Sequence, residues 1–202
     1  SKKSLIFATG LTLSAIGLTA CGNNEQAQNS HASSLEQIKQ NDVIRVAVFA
    51  DNPPFGYIDS EGKNQGFDIA VAKHVAKDLL GDENKIEYVV TEAANRVEFL
   101  KSNKVDVVFA SFSVTPERIE VVDFAEPYLK ASLGIASPKK NPINSVKDLE
   151  NKTLIVNKGS SSDSYFSKNY PKIKLLKFEQ NTDAFNALKD GRGDAISQDS
   201  TY

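Results

Sequence analysis

Three short segments carry the residue types that could do chemistry. Ser111 to Arg118 holds the hydroxyls of Ser111, Ser113 and Thr115, then Pro116 and the guanidinium of Arg118. Proline suits the first position of a helix, so hydroxyls, free backbone N–H groups and an arginine fork could meet there on one carboxylate. Lys158-Gly159-Ser160-Ser161-Ser162 is a second donor-rich run, in which small residues leave the backbone N–H groups accessible. Gln198 to Ser200 adds Asp199, an acceptor for an ammonium group. Together they would hold both ends of a zwitterion, its carboxylate on Arg118 and N–H groups and its ammonium on Asp199. Each segment also has a plainer reading: Arg118 could pair with Glu120 on the surface, the serines could form a simple turn, and Asp199 could cap a helix.

Other chemistries lack their residues. A single cysteine, Cys21, excludes an intrachain disulfide and any multi-cysteine metal site, and only His31 and His74 are available for a histidine-based one. No metal or cofactor is therefore expected. Neither Gly-x-x-x-x-Gly-Lys-Ser/Thr nor Gly-x-Gly-x-x-Gly occurs, so a nucleotide has no cradle. With 24 Lys and Arg against 26 Asp and Glu, the formal net charge of −2 argues against a nucleic-acid partner. At 202 residues, 40% hydrophobic and 25% charged, the composition is that of a globular chain with a sizeable core.

The elements that must position the three segments alternate between β and α. Ile44–Phe49 is a β-branched run stopped by Asp51-Asn52-Pro53-Pro54. Asp68 is expected to cap a helix whose apolar positions Ile69, Ala72, Val75 and Leu79 keep a helical period until Gly81. A strand over Ile86–Thr91, a helix through Val97 and Leu100, and a strand over Val105–Ala110 continue the alternation, which signals a parallel sheet. His74 falls on the solvent side of its helix. After a strand at Ser132–Ser137, Pro138 and Lys139–Asn144 read as a boundary, and Ser145-Val146-Lys147-Asp148 as a capping box. The pattern restarts with strand Thr153–Asn157, helix Asp163–Asn169 stopped by Pro171, strand Lys174–Phe178, helix Thr182–Asp190 stopped by Gly191, and strand Asp194–Ser197. In open parallel sheets ligands bind beyond the carboxyl ends of the strands, which selects the three segments named above.

The N-terminal stretch reads as an address. Lys2 and Lys3 precede an apolar run from Leu5 to Leu18, shorter than the roughly 20 residues of a membrane span and of the length of a signal-peptide core. Leu18-Thr19-Ala20-Cys21 resembles the bacterial lipobox, which implies cleavage after residue 20 and a lipid on Cys21. Losing Lys2 and Lys3 with residues 1–20 would move the formal net from −2 to −4. The expected organisation is a signal peptide over 1–20, a flexible tether over 21–34, a first lobe over 35–138 and a second, incomplete lobe over 139–202.

From Leu35 to Tyr202 the chain resembles the amino-acid-binding receptors of ABC importers, bacterial extracellular solute-binding proteins of family 3. The likeness is carried by Pro53-Pro54-Phe55, Gly66-Phe67-Asp68-Ile69-Ala70, Ser113-Val114-Thr115-Pro116-Glu117-Arg118, Val122-Asp123-Phe124-Ala125-Glu126-Pro127-Tyr128 and Ser145-Val146-Lys147-Asp148-Leu149. It implies an α/β, periplasmic-binding-protein-like fold of two lobes, each a mainly parallel sheet with flanking helices, with the C-terminal part of the fold missing from this chain. It also implies that Arg118, Ser113 and the Ser161 backbone take a substrate α-carboxylate, and that Ser111 and Asp199 take the α-amino group. Many members place an aromatic residue two positions before the proline of Pro-Phe; here that position is Asn52. Ala93-Ala94-Asn95-Arg96-Val97-Glu98-Phe99 and Asn157-Lys158-Gly159 resemble the branch that binds cysteine, which adds Arg96 to the implied site beside Phe112, Gly159 and Ser160. Arg96 as a helix-surface residue is the other reading.

The function so implied is capture of a free polar amino acid, cysteine among the candidates, by a monomeric lipoprotein outside the cytoplasmic membrane, followed by delivery to an ABC permease. No catalysis is required. The rival is a lyase or dehydratase on the same scaffold, with Glu117 or Asp199 as its acid or base.

Overall fold

A computed structural model describes residues 33–200; the expected signal peptide and Cys21 lie outside the described residues. Helix α1 (Ser34–Asn41) opens at a capping box in which the Ser33 hydroxyl accepts from the Glu36 amide and the Glu36 carboxylate from the Ser33 amide, so the last two residues of the expected tether are ordered. There follow β1 (Ile44–Val48), the short strands β2 (Asp51–Asn52), β3 (Gly56–Ile58) and β4 (Asn64–Gln65), and helix α2 (Phe67–Leu80). Strand β5 (Ile86–Val90), a 3-10 turn at Ala93–Asn95, helix α3 (Arg96–Lys101), strand β6 (Val107–Val108) and helix α4 (Pro116–Ile119) complete the first half. The second half contains β7 (Ser132–Ala136), a 3-10 turn at Val146–Leu149, β8 (Thr153–Asn157), α5 (Ser161–Asn169), β9 (Lys174–Phe178), α6 (Asn181–Lys189) and β10 (Ala195–Ser200).

The first lobe is a parallel sheet in the order β5-β1-β6, with β2-β3-β4 as a small antiparallel sheet beside it. Strand β1 is almost entirely apolar because it is buried on both faces. Ile44, Val46 and Val48 pack on Ile69, Ala72 and Ala76 of α2, while Phe49 turns the other way onto Ala93 and Ala110. The β6 pairing is pinned at its start by Asp106, whose carboxylate accepts from the Arg45 amide at 2.8 Å and from the Arg45 guanidinium at 2.8 and 3.2 Å. That bidentate contact holds the guanidinium above its ordinary pKa. Only Val107–Val108 count as strand, although the Asp106 and Phe109 amides still donate to Arg45 and Ala47 carbonyls.

The second lobe is a mixed sheet in the order β7-β10-β8-β9. Alternation along β8 sends Leu154 and Val156 onto Phe166 of α5, and Ile155 onto Ala184 and Ala187 of α6. Full burial of each such side chain is worth about 1.5–3 kcal/mol, which is why the run Leu154-Ile155-Val156 admits no polar residue.

Two expectations are corrected here. Residues 132–136, read as the end of the first lobe, form the edge strand β7 of the second sheet, antiparallel to β10, so the change of sheet falls before Ser132 and not at Pro138. The chain passes between the sheets through 109–131. Strand β10 also runs on to Ser200, so Gln198 and Asp199 are strand residues opposite Gly134 and Leu133 and not a loop beyond the strand end. The pairing with β7, remote in sequence, extends a strand that local apolarity ends at Ser197.

Candidate functional site

The site is built where the end of β6, the start of α4, the β8–α5 turn and β10 converge. Thr115 caps α4 by accepting from the Arg118 amide at 3.2 Å, with Pro116 in the first helical position as expected. That turn points Arg118 across the cleft, and its guanidinium donates to the Ser113 carbonyl at 2.7 Å, the Gly159 carbonyl at 3.1 Å and the Ser161 hydroxyl at 3.4 Å. No ion pair joins Arg118 to Glu120 among the described residues; the surface reading of Arg118 fails because its own helix directs the side chain inward.

Arg96 is 3% exposed and likewise not a surface residue. It opens α3 and donates to the carbonyls of Ala93 (3.1 Å), Ala110 (2.8 Å), Ser111 (3.1 Å) and Gly159 (3.3 Å). Phe112 lies between the two arginines, its centroid 4.6 Å from the Arg96 guanidinium carbon and 4.5 Å from that of Arg118. The ring face offsets part of the repulsion between the buried Arg96 cation and the half-buried Arg118 cation. Burial and the neighbouring Arg118 charge lower the Arg96 pKa to about 9, and burial lowers that of Arg118 as well. Arg96 spends four hydrogen bonds on backbone carbonyls, whereas Arg118 spends two, so Arg118 keeps the donors a ligand would need.

Asp199 supplies the opposite charge. Burial raises its pKa above the ordinary carboxylate value, and the fields of Arg96 and Arg118 only partly offset that. Ser111 has left-handed backbone (φ 46°), held by its amide donating to Asp68 at 2.9 Å and its carbonyl accepting from Arg96. Its hydroxyl sits 3.4 Å from both Asn52 Nδ2 and Asp68 Oδ2. A cavity of about 240 Å³ opens beside Ser111, Phe112, Ser113, Tyr128 and Asp199, small against the ~300–1,000 Å³ of typical ligand pockets. Neither Arg118 nor the Gly159–Ser161 turn lines it.

The β8–α5 turn also has a structural job. Ser160 caps α5, its hydroxyl accepting from the Asp163 amide at 3.1 Å, so α5 starts two residues earlier than predicted. The Gly159 N–H is taken by Asp163 at 3.0 Å and its carbonyl by both arginines. Gly159 therefore ties the lobes together. With φ 76°, and an added Cβ only 2.7 Å from the Ala94 Cα, it admits no side chain.

Asp68 is not the helix cap expected of it. Residue 66 is the N-cap of α2, and the first helical amides of Phe67 and Asp68 donate to the carbonyls of Pro54 and Phe55. Asp68 is instead 1% exposed and accepts from the Ser111 amide and, at 2.9 Å, from the Tyr128 hydroxyl. Burial and this carboxylate raise the Tyr128 pKa. The signal was present in the spacing, because Asp68 lies one turn before Ala72 on the buried stripe of α2.

The family model of bacterial extracellular solute-binding proteins, family 3, matches residues 44–202. The glutamine-binding protein GlnH of Bacillus subtilis is 35% identical over 98% of this chain and 75% of its own length. Among solved structures, the cysteine-binding protein from Campylobacter jejuni superposes with a TM-score of 0.81 at 61% identity, over 82% of this chain and 67% of that one. The solute receptor for L-cysteine of Neisseria gonorrhoeae gives 0.80 at 57% identity over the same shares. With these matches added to the two α/β lobes and the paired arginines between them, the chain belongs to the bacterial extracellular solute-binding proteins, family 3.

Proposed function

We propose that this protein captures a free polar amino acid, cysteine first among the candidates, outside the cytoplasmic membrane and hands it to the permease of an ABC importer. The observation that carries the reading is the pair of guanidiniums stacked on Phe112, with Asp199 as the opposing charge. Arg118, Ser113 and Ser161 would take the α-carboxylate, and Ser111 and Asp199 the α-amino group. Arg96 braces the arrangement by donating to the Gly159 carbonyl at 3.3 Å, and closure follows because the ligand touches both lobes at once. The cysteine assignment draws on the two solved receptors named above; the 35% identical relative binds glutamine.

Calorimetry with L-cysteine under reducing conditions, L-glutamine, L-arginine and L-glutamate tests this. Saturable binding of at least one, with cysteine tightest, is expected, and no binding of any would overturn the receptor reading. The lyase reading leans on Asp199, whose raised pKa suits a proton donor. Glu117 does not suit that role, since it is exposed and lies 3.6 Å from Lys168, with its own first-turn amide as the main influence lowering its pKa. Turnover of a cyclic dicarboxylic acid by the purified protein would shift the assignment to catalysis.

Attachment to the membrane through Cys21 is the other part of the proposal. Cys21→Ala is expected to release the protein into the soluble fraction, because no other cysteine can accept a lipid. One acyl chain binds a bilayer only marginally, so the processed cysteine would carry more than one. A Cys21→Ala protein that still sediments with membranes after a high-salt wash would have a different anchor.

A further inference from the structure

The strongest unassigned contact lies away from the ligand groups, at the start of α6. This helix has Gln180 at its N-cap, and Gln180 makes no side-chain capping bond. Its exposed amide end is satisfied by the other lobe: the Asp51 carboxylate in β2 accepts from the Thr182 amide at 3.0 Å, the Thr182 hydroxyl at 3.3 Å and the Asn181 side-chain amide at 3.0 Å. Asn181 is 6% exposed beneath it. On its other side β2 continues into Asn52, whose side chain reaches the Ser111 hydroxyl of the pocket. A carboxylate at a helix N-terminus combines charge-assisted hydrogen bonding with a favourable helix dipole. Here both are available only while the two lobes are together.

We propose that Asp51 sets the affinity of this receptor without touching its ligand, by capping α6 across the cleft in the closed state. The proposal rests on the two-lobed receptor reading above. When the lobes part, Asp51 and the Thr182 amide each return to water, so the bond contributes to the closed state and not to the open one. A contribution present in one state alone passes into the apparent dissociation constant. Asp51→Ala should therefore raise the dissociation constant for L-cysteine about 10- to 100-fold, mainly through faster release.

Two variants and two readouts test this in the full chain. Asp51→Ala removes the cap. Gln180→Asp keeps Asp51 but gives α6 a capping residue of its own and sets a like charge against Asp51. Both should bind L-cysteine more weakly, while the melting temperature of the ligand-free protein stays within a few degrees of the parent. Hydrogen exchange at the Thr182 amide reads the contact directly: with L-cysteine bound it should be faster in Asp51→Ala than in the parent, and without ligand the two should exchange alike. If the parent binds no amino acid, the receptor reading fails; if it binds and Thr182 exchange in the ligand-bound protein does not depend on Asp51, the cap alone fails. Unchanged Thr182 exchange in ligand-bound Asp51→Ala, or unchanged affinity in both variants of a parent that binds, overturns the proposal.

Discussion

Arg118→Lys is expected to raise the dissociation constant for the bound amino acid by roughly 30-fold to several thousand-fold. The upper and lower figures correspond to the about 2–5 kcal/mol lost when one partner of a buried, hydrogen-bonded charge pair is truncated. Lysine retains the charge but not the planar fork. It cannot grip a carboxylate by two parallel bonds while lying 4.5 Å over the Phe112 ring and holding the Ser113 and Gly159 carbonyls. The loss therefore falls on the ligand contact and on the tie between lobes together. Calorimetry on parent and variant measures it, and an unchanged dissociation constant would remove Arg118 from the ligand's carboxylate.

Asp199→Asn has the second large effect, and its sign differs between affinity and stability. Burial holds the folded-state pKa of Asp199 above its unfolded value. The stability this contributes is present below the unfolded pKa and is lost as pH rises through the folded one, so at neutral pH the ligand-free fold carries a buried charge at a cost. An ammonium group offsets that cost on binding. The asparagine variant should thus melt no lower than the parent at pH 7 without ligand, yet bind far more weakly and show no ligand-induced compaction in small-angle scattering. Parent affinity should fall as pH drops through the raised Asp199 pKa, and that slope should be absent in the variant. If Asp199→Asn binds and compacts like the parent, the clamp on the α-amino group is wrong and a dicarboxylate ligand, or the lyase reading, gains support.

Several elements of the second lobe were legible in the residues alone. Strands Thr153–Asn157 and Lys174–Phe178 lie where the apolar runs place them, and the Ser145–Asp148 capping box forms as its spacing requires. These features depend on neighbours within a few residues, and in Thr153–Asn157 burial on both faces keeps the run uninterrupted. Pro116 opening α4 is legible for the same reason, since the missing N–H and fixed φ act locally. The candidate segments Ser111–Arg118 and Lys158–Ser162 follow β6 and β8 as the strand-end rule expects, whereas Gln198 and Asp199 lie within β10.

The residues alone reveal the main β/α alternation, though not α1 or the small β2-β3-β4 sheet. What the polar residues along it do depends on contacts remote in sequence. Asp68 reads locally as a cap, but the Pro54 and Phe55 carbonyls already satisfy the first α2 amides, and burial sends the carboxylate to Ser111 and Tyr128. Arg96 reads equally as a helix-surface residue, yet four carbonyls from three separate segments enclose it. Asp51 reads as a turn residue, yet it caps a helix that begins at Asn181. Strand β7 belongs to the second sheet because β10, and no neighbour in sequence, supplies its hydrogen-bond partners. In each case a buried polar group must find a partner, and in these cases the partner stands on a part of the chain that no local pattern points to.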